Sequence, residues 1–275
     1  MKLPILSVLL ALIAAFTGTV NAQSFDHSHA EWTGLLKKHV SWKGQNAASA
    51  SATMVSYAGF KQDRSALDAY TKKLAAVSQA DFNGWTRPQK QAFLINAYNA
   101  YTVTLIVGKY PNLKSIKDLG SIVSSPWSKR LYPLLGKQRS LDDIEHVMLR
   151  GAPDFNEPRI HFAVNCASIG CPALRPEAYT ATTLTAQLEE QTKKFMQDRS
   201  RNRLVRSEEA LYVSSIFDWY RDDFEKGYLG ARTLPEFLAR YAGSLGLSVA
   251  EKQALINGGL DIEFTPYDWS LNDRK

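Results

Sequence analysis

Cysteine is scarce in this sequence: only Cys166 and Cys171 occur in 275 residues. That excludes a disulfide-dense scaffold. Sixteen glycines and eleven prolines are too few for a collagen-like or linker-rich chain. Glycine-rich phosphate loops, a serine elbow, and the CxxC and HxxxH spacings of common metal sites are all missing. No cofactor and no metal is therefore expected. Nor is positive charge concentrated anywhere. The 33 Lys+Arg exceed the 27 Asp+Glu by only six, and basic stretches such as Lys72-Lys73 or Arg199 to Arg206 have acids close by and no interleaved aromatics. Such a distribution argues against a nucleic-acid partner. What is present is ordinary globular composition, 45% hydrophobic and 22% charged, in a length that suits one large domain.

Residues 1–22 read as a secretory signal. Lys2 is the only charge, Leu3 to Phe16 form the apolar core, and Val20-Asn21-Ala22 brings a small residue to the cut. This fourteen-residue stretch, interrupted by Pro4, falls short of the ~20 that a bilayer requires. The expectation is cleavage after Ala22, export to the periplasm or beyond, and no membrane insertion afterwards. Exported compartments oxidise thiols, so two cysteines five positions apart form a candidate disulfide. Closing so short a loop stabilises a fold by about 2 kcal/mol on the chain-entropy model.

After a polar start, residues 23–84 read as an N-terminal helical segment and 85–275 as the main domain. Trp32, Leu35, Leu36 and Val40 recur at helical spacing between Ala30 and Trp42, as do Leu67, Tyr70, Leu74 and Val77 between Gln62 and Val77. A loop is expected between them, from Gly44 to Ala52. Thr86 is a good N-cap, and Pro88 falls in the first turn, where its missing N–H costs nothing. The helix that follows, to about Tyr110, has no charge from Ala92 to Val107 and must be buried on nearly every side. It carries Asn96 and Asn99 on one face. An unpaired buried amide costs ~1–3 kcal/mol, so both must bond to backbone or to a ligand.

Ser140 and Asp143 form a capping box for a short helix to about Arg150. Asp142, His146 and Arg150 share one of its faces, while Ile144, Val147 and Met148 are expected inward. Apolar and polar residues alternate from Arg159 to Asn165, which predicts a strand running into a turn at Cys166 to Pro172. Thr183 to Met196 reads as a helix, Leu204 to Val213 as a hairpin, and Phe217 to Phe224 as an aromatic helix with Trp219 in the core. A helix over Leu234 to Leu245 and a strand over Leu260 to Phe264 follow. Together these predict a helix-rich α+β single domain around a small, mostly antiparallel β-sheet.

Five segments carry a family likeness: AFLINAYNAYT from Ala92, LDDIEHVMLR from Leu141, RIHFAVNCASIGCPAL from Arg159, IFDWYRDDF from Ile216 and YDWSLN from Tyr267. In this order, from about Trp85 to Asn272, the chain resembles domain of unknown function 547. Proteins like it include secreted bacterial ones and domains within larger plant proteins. The resemblance implies no established chemistry.

The residues themselves leave three readings of the cysteines. In the first, the protein is an exported thiol hydrolase or acyl-transferase acting on an amide or peptide-like substrate. Cys166 is then the nucleophile, His161 or His146 the base, Glu145 the orienting carboxylate, and Asn96, Asn99, Asn165 or Ser168 the substrate-binding or oxyanion donors. In the second, Cys166–Cys171 is a structural disulfide in a non-catalytic binding or assembly domain. In the third, the pair is redox-active, although its spacing is not that of thioredoxin-type motifs. His27 and His29 are set aside as part of a flexible start.

Overall fold

A computed structural model describes residues 24–44, 51–121, 124–152 and 155–274. The predicted signal at 1–22 lies outside the described residues, as does most of the Gly44 to Ala52 loop. The chain is about 51% helical, with three small sheets, as expected of a helix-rich α+β fold. Among the described residues no helix is long and apolar enough to cross a membrane.

The first half is built on α5, Arg87–Val107. Thr86 and Gln89 close a reciprocal capping box, and Pro88 occupies the first turn. From Gln91 to Val103 every residue is buried, because α1 (Ala30–His39), α2 (Tyr57–Gln62), α3 (Arg64–Ala76) and α4 (Gln79–Gly84) pack around this uncharged rod. Leu67, Tyr70, Leu74 and Val77 are all in that core. The residues before α1 are not loose. Phe25 packs on Trp85 and Phe93, and His29 is buried with its Nδ1 2.7 Å from the Tyr70 hydroxyl. Setting His27 and His29 aside as a flexible start was therefore a misreading: the Phe25 and Trp85 rings anchor both.

The strands are short. β1 (Val40–Trp42) and β2 (Thr53–Val55) form one antiparallel pair, and β3 (Tyr132–Leu134) and β4 (Lys137–Arg139) another. The third sheet joins the predicted hairpin, β5 (Arg203–Val205) and β6 (Ala210–Ser214), to the predicted last strand, β7 (Asp261–Thr265). β6 and β7 run parallel, with Ala210 opposite Asp261. A second apolar cluster gathers on this sheet from α6 (Leu184–Gln197), α7 (Ile216–Trp219), α8 (Arg221–Glu225), α9 (Leu234–Arg240), α10 (Ala242–Leu245) and α11 (Val249–Ile256).

The predicted strand over Arg159 to Asn165 is instead a 3-10 turn, Pro158–Phe162. Pro158 opens it and the Glu157 carboxylate accepts from the Arg159 N–H. Its alternation has another origin: Ile160 enters the first core and Phe162 the second. This turn therefore lies at the seam of the two clusters. The Ser140–Asp143 box forms as expected, with bonds of 2.9 and 3.0 Å, but the helix it opens, Asp143–Arg150, is wound as a π-helix. The wider winding leaves Val147 61% exposed, against the expectation that it faces inward.

Candidate functional site

A cleft of about 380 Å³ opens at the seam. Tyr98 of α5, Glu145 and His146 of the π-helix, His161 of the 3-10 turn and Cys166 line it. Ile216, Trp219, Tyr220, Tyr267, Trp127 and Trp269 line it as well. Sequence reasoning placed Trp219 in the core, yet it is 47% exposed. It leans on Tyr267 and Trp269 instead.

His161 is the most constrained group. Its Nε2 lies 2.8 Å from Asp223 Oδ2, which fixes the tautomer: Nε2–H donates to the carboxylate and Nδ1 keeps its lone pair. That Nδ1 is buried and has no hydrogen-bond partner among the described residues. The ring stacks on Tyr220 at 4.0 Å. Burial lowers the imidazole below its ordinary pKa, and the bond to Asp223 opposes this only in part. Burial alone would raise Asp223, but hydrogen bonds from His161, Arg150 and Lys226 hold it well below the usual carboxylate range. Those bonds measure 2.8, 2.5 and 2.6 Å. The site thus sets a neutral imidazole against an ionised carboxylate.

His146 belongs to the same network but is less enclosed. Arg150 Nη1 donates to its Nδ1 at 2.9 Å, and Asp142 stands 3.7 Å from Nε2. The predicted Asp142–His146–Arg150 face thus exists. Burial raises Asp142, with Glu145 and Asp143 adding to the effect and His146 opposing it. Glu145 does not orient either histidine. It is paired with the hydroxyls of Tyr98 and Tyr220, whose pKa values burial, reinforced by this carboxylate, pushes up. Asp223 orients His161 instead.

Cys166 and Cys171 are bonded to each other, with Sγ–Sγ 2.04 Å. Cys166 is half-buried and faces the cleft; Cys171 is buried and lines a separate cavity of about 370 Å³ behind it. In this state Cys166 is not a free nucleophile. The loop is closely braced. Ala167 sits at φ 63, a left-handed conformation unusual for a residue with a Cβ, and its N–H donates to Asn165 Oδ1. Arg201 donates to the carbonyls of Ile169, Gly170 and Cys171. The Tyr267 hydroxyl lies 3.1 Å from Cys166 Sγ, and burial pushes its pKa up. Residues 268–271 run alongside the loop, with Ile169 and Gly170 N–H donating to Ser270 and Asp268 carbonyls.

The amides expected at an oxyanion do other work. Asn96 donates to the Tyr179 carbonyl and accepts from the Tyr179 N–H. Asn99 clamps the Ala163 carbonyl and the Asn165 N–H in the same way. Asn165 spends its NH2 on the Pro172 carbonyl. None of the three lines the cleft. They are braces, because burial requires every amide group to be paired locally. Ser168 is buried beside the disulfide, its hydroxyl 3.1 Å from Cys171 Sγ. Among the described residues no three His, Cys, Asp or Glu groups converge as a metal site.

Residues 82–196 match the family model described as "Protein of unknown function, DUF547". That stretch of the chain is similar to the DUF547 family. Tyr98, Glu145, His146, His161 and both cysteines fall inside it, while Tyr220 and Tyr267 of the cleft, and Asp223, which holds His161, lie beyond it. No curated protein and no solved structure matches the chain. The sequence offers two adjacent acids here, Asp222 and Asp223. A choice between them needs the contact 62 residues away, which no local spacing encodes.

Proposed function

We propose that this DUF547 cleft is the active site of an exported thiol hydrolase or acyl-transferase for amide or peptide-like bonds. Its nucleophile is Cys166, its base His161, and its orienting carboxylate Asp223. One observation carries the reading: His161 is held by Asp223 through Nε2 with its Nδ1 unpartnered among the described residues, and it lines the same cleft as Cys166. That is the nucleophile, base and orienter logic of covalent acyl transfer. In an oxidising compartment the enzyme rests as the Cys166–Cys171 disulfide. A dithiol reductant opens it, delivering two electrons and two protons. His161 Nδ1 then takes the Cys166 proton, the thiolate adds to the acyl carbon, and the leaving amine departs with that proton. Water or a second amine regenerates the thiol. The Tyr267 hydroxyl, kept protonated by burial, is the donor nearest the sulfur for the developing oxyanion.

p-Nitrophenyl acetate tests this. Reduced protein is expected to release a burst of about one p-nitrophenol per chain, as an accumulating acyl-enzyme does. Cys166→Ser abolishes the burst, and Cys171→Ser gives it without reductant. A Cys166→Ser protein that turns over at the original rate overturns the proposal. A second reading, a binding domain with a structural disulfide, is favoured by the Cys166 N–H that donates to Cys171 Sγ at 2.9 Å. It expects no burst, and equal destabilisation by either cysteine replacement.

A further inference from the structure

Glu145 is left unused by this chemistry, and its surroundings are unusual. Its carboxylate belongs to a residue only 6% exposed, and its partners are the two phenol hydroxyls of Tyr98 and Tyr220. Among the described residues no Lys, Arg or His nitrogen forms an ion pair with it, although its helix neighbours are all paired: Asp143 with Arg130, His146 with Asp142, and Arg150 with Asp223. A buried carboxylate without a counter-ion is costly, since phenol hydrogen bonds return only part of the lost hydration. The cleft lining adds no Lys or Arg side chain.

The walls are aromatic, and the rings differ in what already covers them. Tyr220 is stacked by His161 and approached by Arg150, and Trp269 has Lys117 Nζ at 3.8 Å from its ring centre. Among the described residues Trp127, Trp219 and Tyr267 carry no such cation, and they line the same cleft as Glu145. A second, independent sign of a missing ligand is His161, a cleft-lining residue whose buried Nδ1 has no partner among the described residues.

We propose that the cleft contains a subsite for an organic ammonium ion, with Glu145 as its counter-charge and Trp127, Trp219 and Tyr267 around its apolar carbons. This rests on the reading of the cleft as the substrate site, and it names the substrate's class: a cation on an aliphatic stem, as at the amine end of a peptide-like molecule. Ring faces attract such cations through their quadrupole, most strongly where water is excluded. The carboxylate repels anionic groups from the same place.

The test is titration of the disulfide-intact protein, followed by tryptophan fluorescence or calorimetry. Three probes are used: choline, its neutral isostere 3,3-dimethylbutan-1-ol, and Nα-acetyl-lysine methylamide. At least one cation is expected to bind about tenfold or more tightly than the neutral isostere. Whichever cation binds better separates a quaternary from a primary ammonium subsite. Glu145→Gln, which keeps the shape and removes the charge, brings the cations to the level of the isostere. Trp219→Leu, at a half-exposed position where folding is not at stake, weakens the preferred cation several-fold. Equal affinity for cation and isostere, no binding of any probe, or a preference that survives Glu145→Gln overturns the proposal. The titration needs no thiol and no turnover. A missing cation preference therefore leaves the Cys166 chemistry standing, and a missing acylation burst leaves this subsite standing.

Discussion

Replacing Asp223 by Asn removes the one charge that holds His161 and little else. The carboxylate receives His161 and Arg150 on one oxygen and Lys226 on the other. The amide is nearly isosteric but presents an NH2 to a cation and keeps a single acceptor. Arg150, with a side chain only 23% exposed, loses its counter-ion. Breaking a buried pair in this way costs ~3 kcal/mol, the lower end of the usual range because Arg150 keeps some water. Lys226 is half exposed and adds little. In a chain of this size each kcal/mol moves the melting point by about 2–4 °C, so a fall of roughly 6–12 °C is expected. The pH dependence follows from linkage. The folded-state pKa of Asp223 is depressed, so its stabilisation is complete above the unfolded value near ~4 and is lost as pH falls below it. Urea melts at pH 7, 5 and 3.5 should therefore show the gap between wild type and Asp223→Asn widest at pH 7 and closing towards pH 3.5. On the proposed function, turnover by the reduced protein should drop by about 10²–10⁴, because His161 loses the group that fixes its tautomer. A variant within about 0.5 kcal/mol of wild type at pH 7 refutes the reasoning, since that is the scatter of an ordinary surface substitution. So does a gap that ignores pH.

Three further outcomes follow. Asn96→Ala leaves both backbone groups of Tyr179 unpaired and should cost about 2–3 kcal/mol in urea melts, with alkylation of reduced Cys166 unchanged. Burial holds the His29 pKa at about 4, below its ordinary 6.5. Between those values the unfolded chain takes up a proton that the folded chain refuses, so acidification through this window should remove about 3 kcal/mol of stability. His29→Asn, which tolerates the left-handed φ of 49 there, should flatten that limb in pH-dependent melts. At Gly170 an added Cβ would stand 2.8 Å from the Tyr267 ring. Gly170→Ala should therefore displace that hydroxyl from Cys166 and slow acylation about tenfold or more, with an ordinary melting curve.

Much of the fold was legible because local rules and tertiary packing agree. The Thr86 cap, Pro88 and sixteen uncharged residues foretold a buried α5, and the turn between Leu204 and Val213 foretold a hairpin. Pairing requirements foretold that Asn96 and Asn99 would be bonded, though not to which carbonyl. The Arg159 to Asn165 strand failed because period-two alternation over seven residues also suits a 3-10 turn dividing its apolar side chains between two cores. Val147 failed because a helical wheel assumes α winding where the chain is π-wound. In the site, Cys166, His161, His146 and Glu145 were named from the sequence and do line one cleft. Asp223, Tyr267 and the exposed Trp219 were not assigned to it, because their places depend on contacts across the seam that no spacing records.

The account turns on a Cys166 sulfur that reduction frees beside a waiting imidazole, and mass-mapped alkylation reads it directly. Native protein should resist iodoacetamide until treated with dithiothreitol. Cys166 should then be alkylated while buried Cys171 stays protected, with an apparent thiol pKa below the usual ~8.5 that rises in His161→Asn. Equal labelling of both cysteines in folded protein would contradict the account, as would a Cys166 whose reactivity is indifferent to His161.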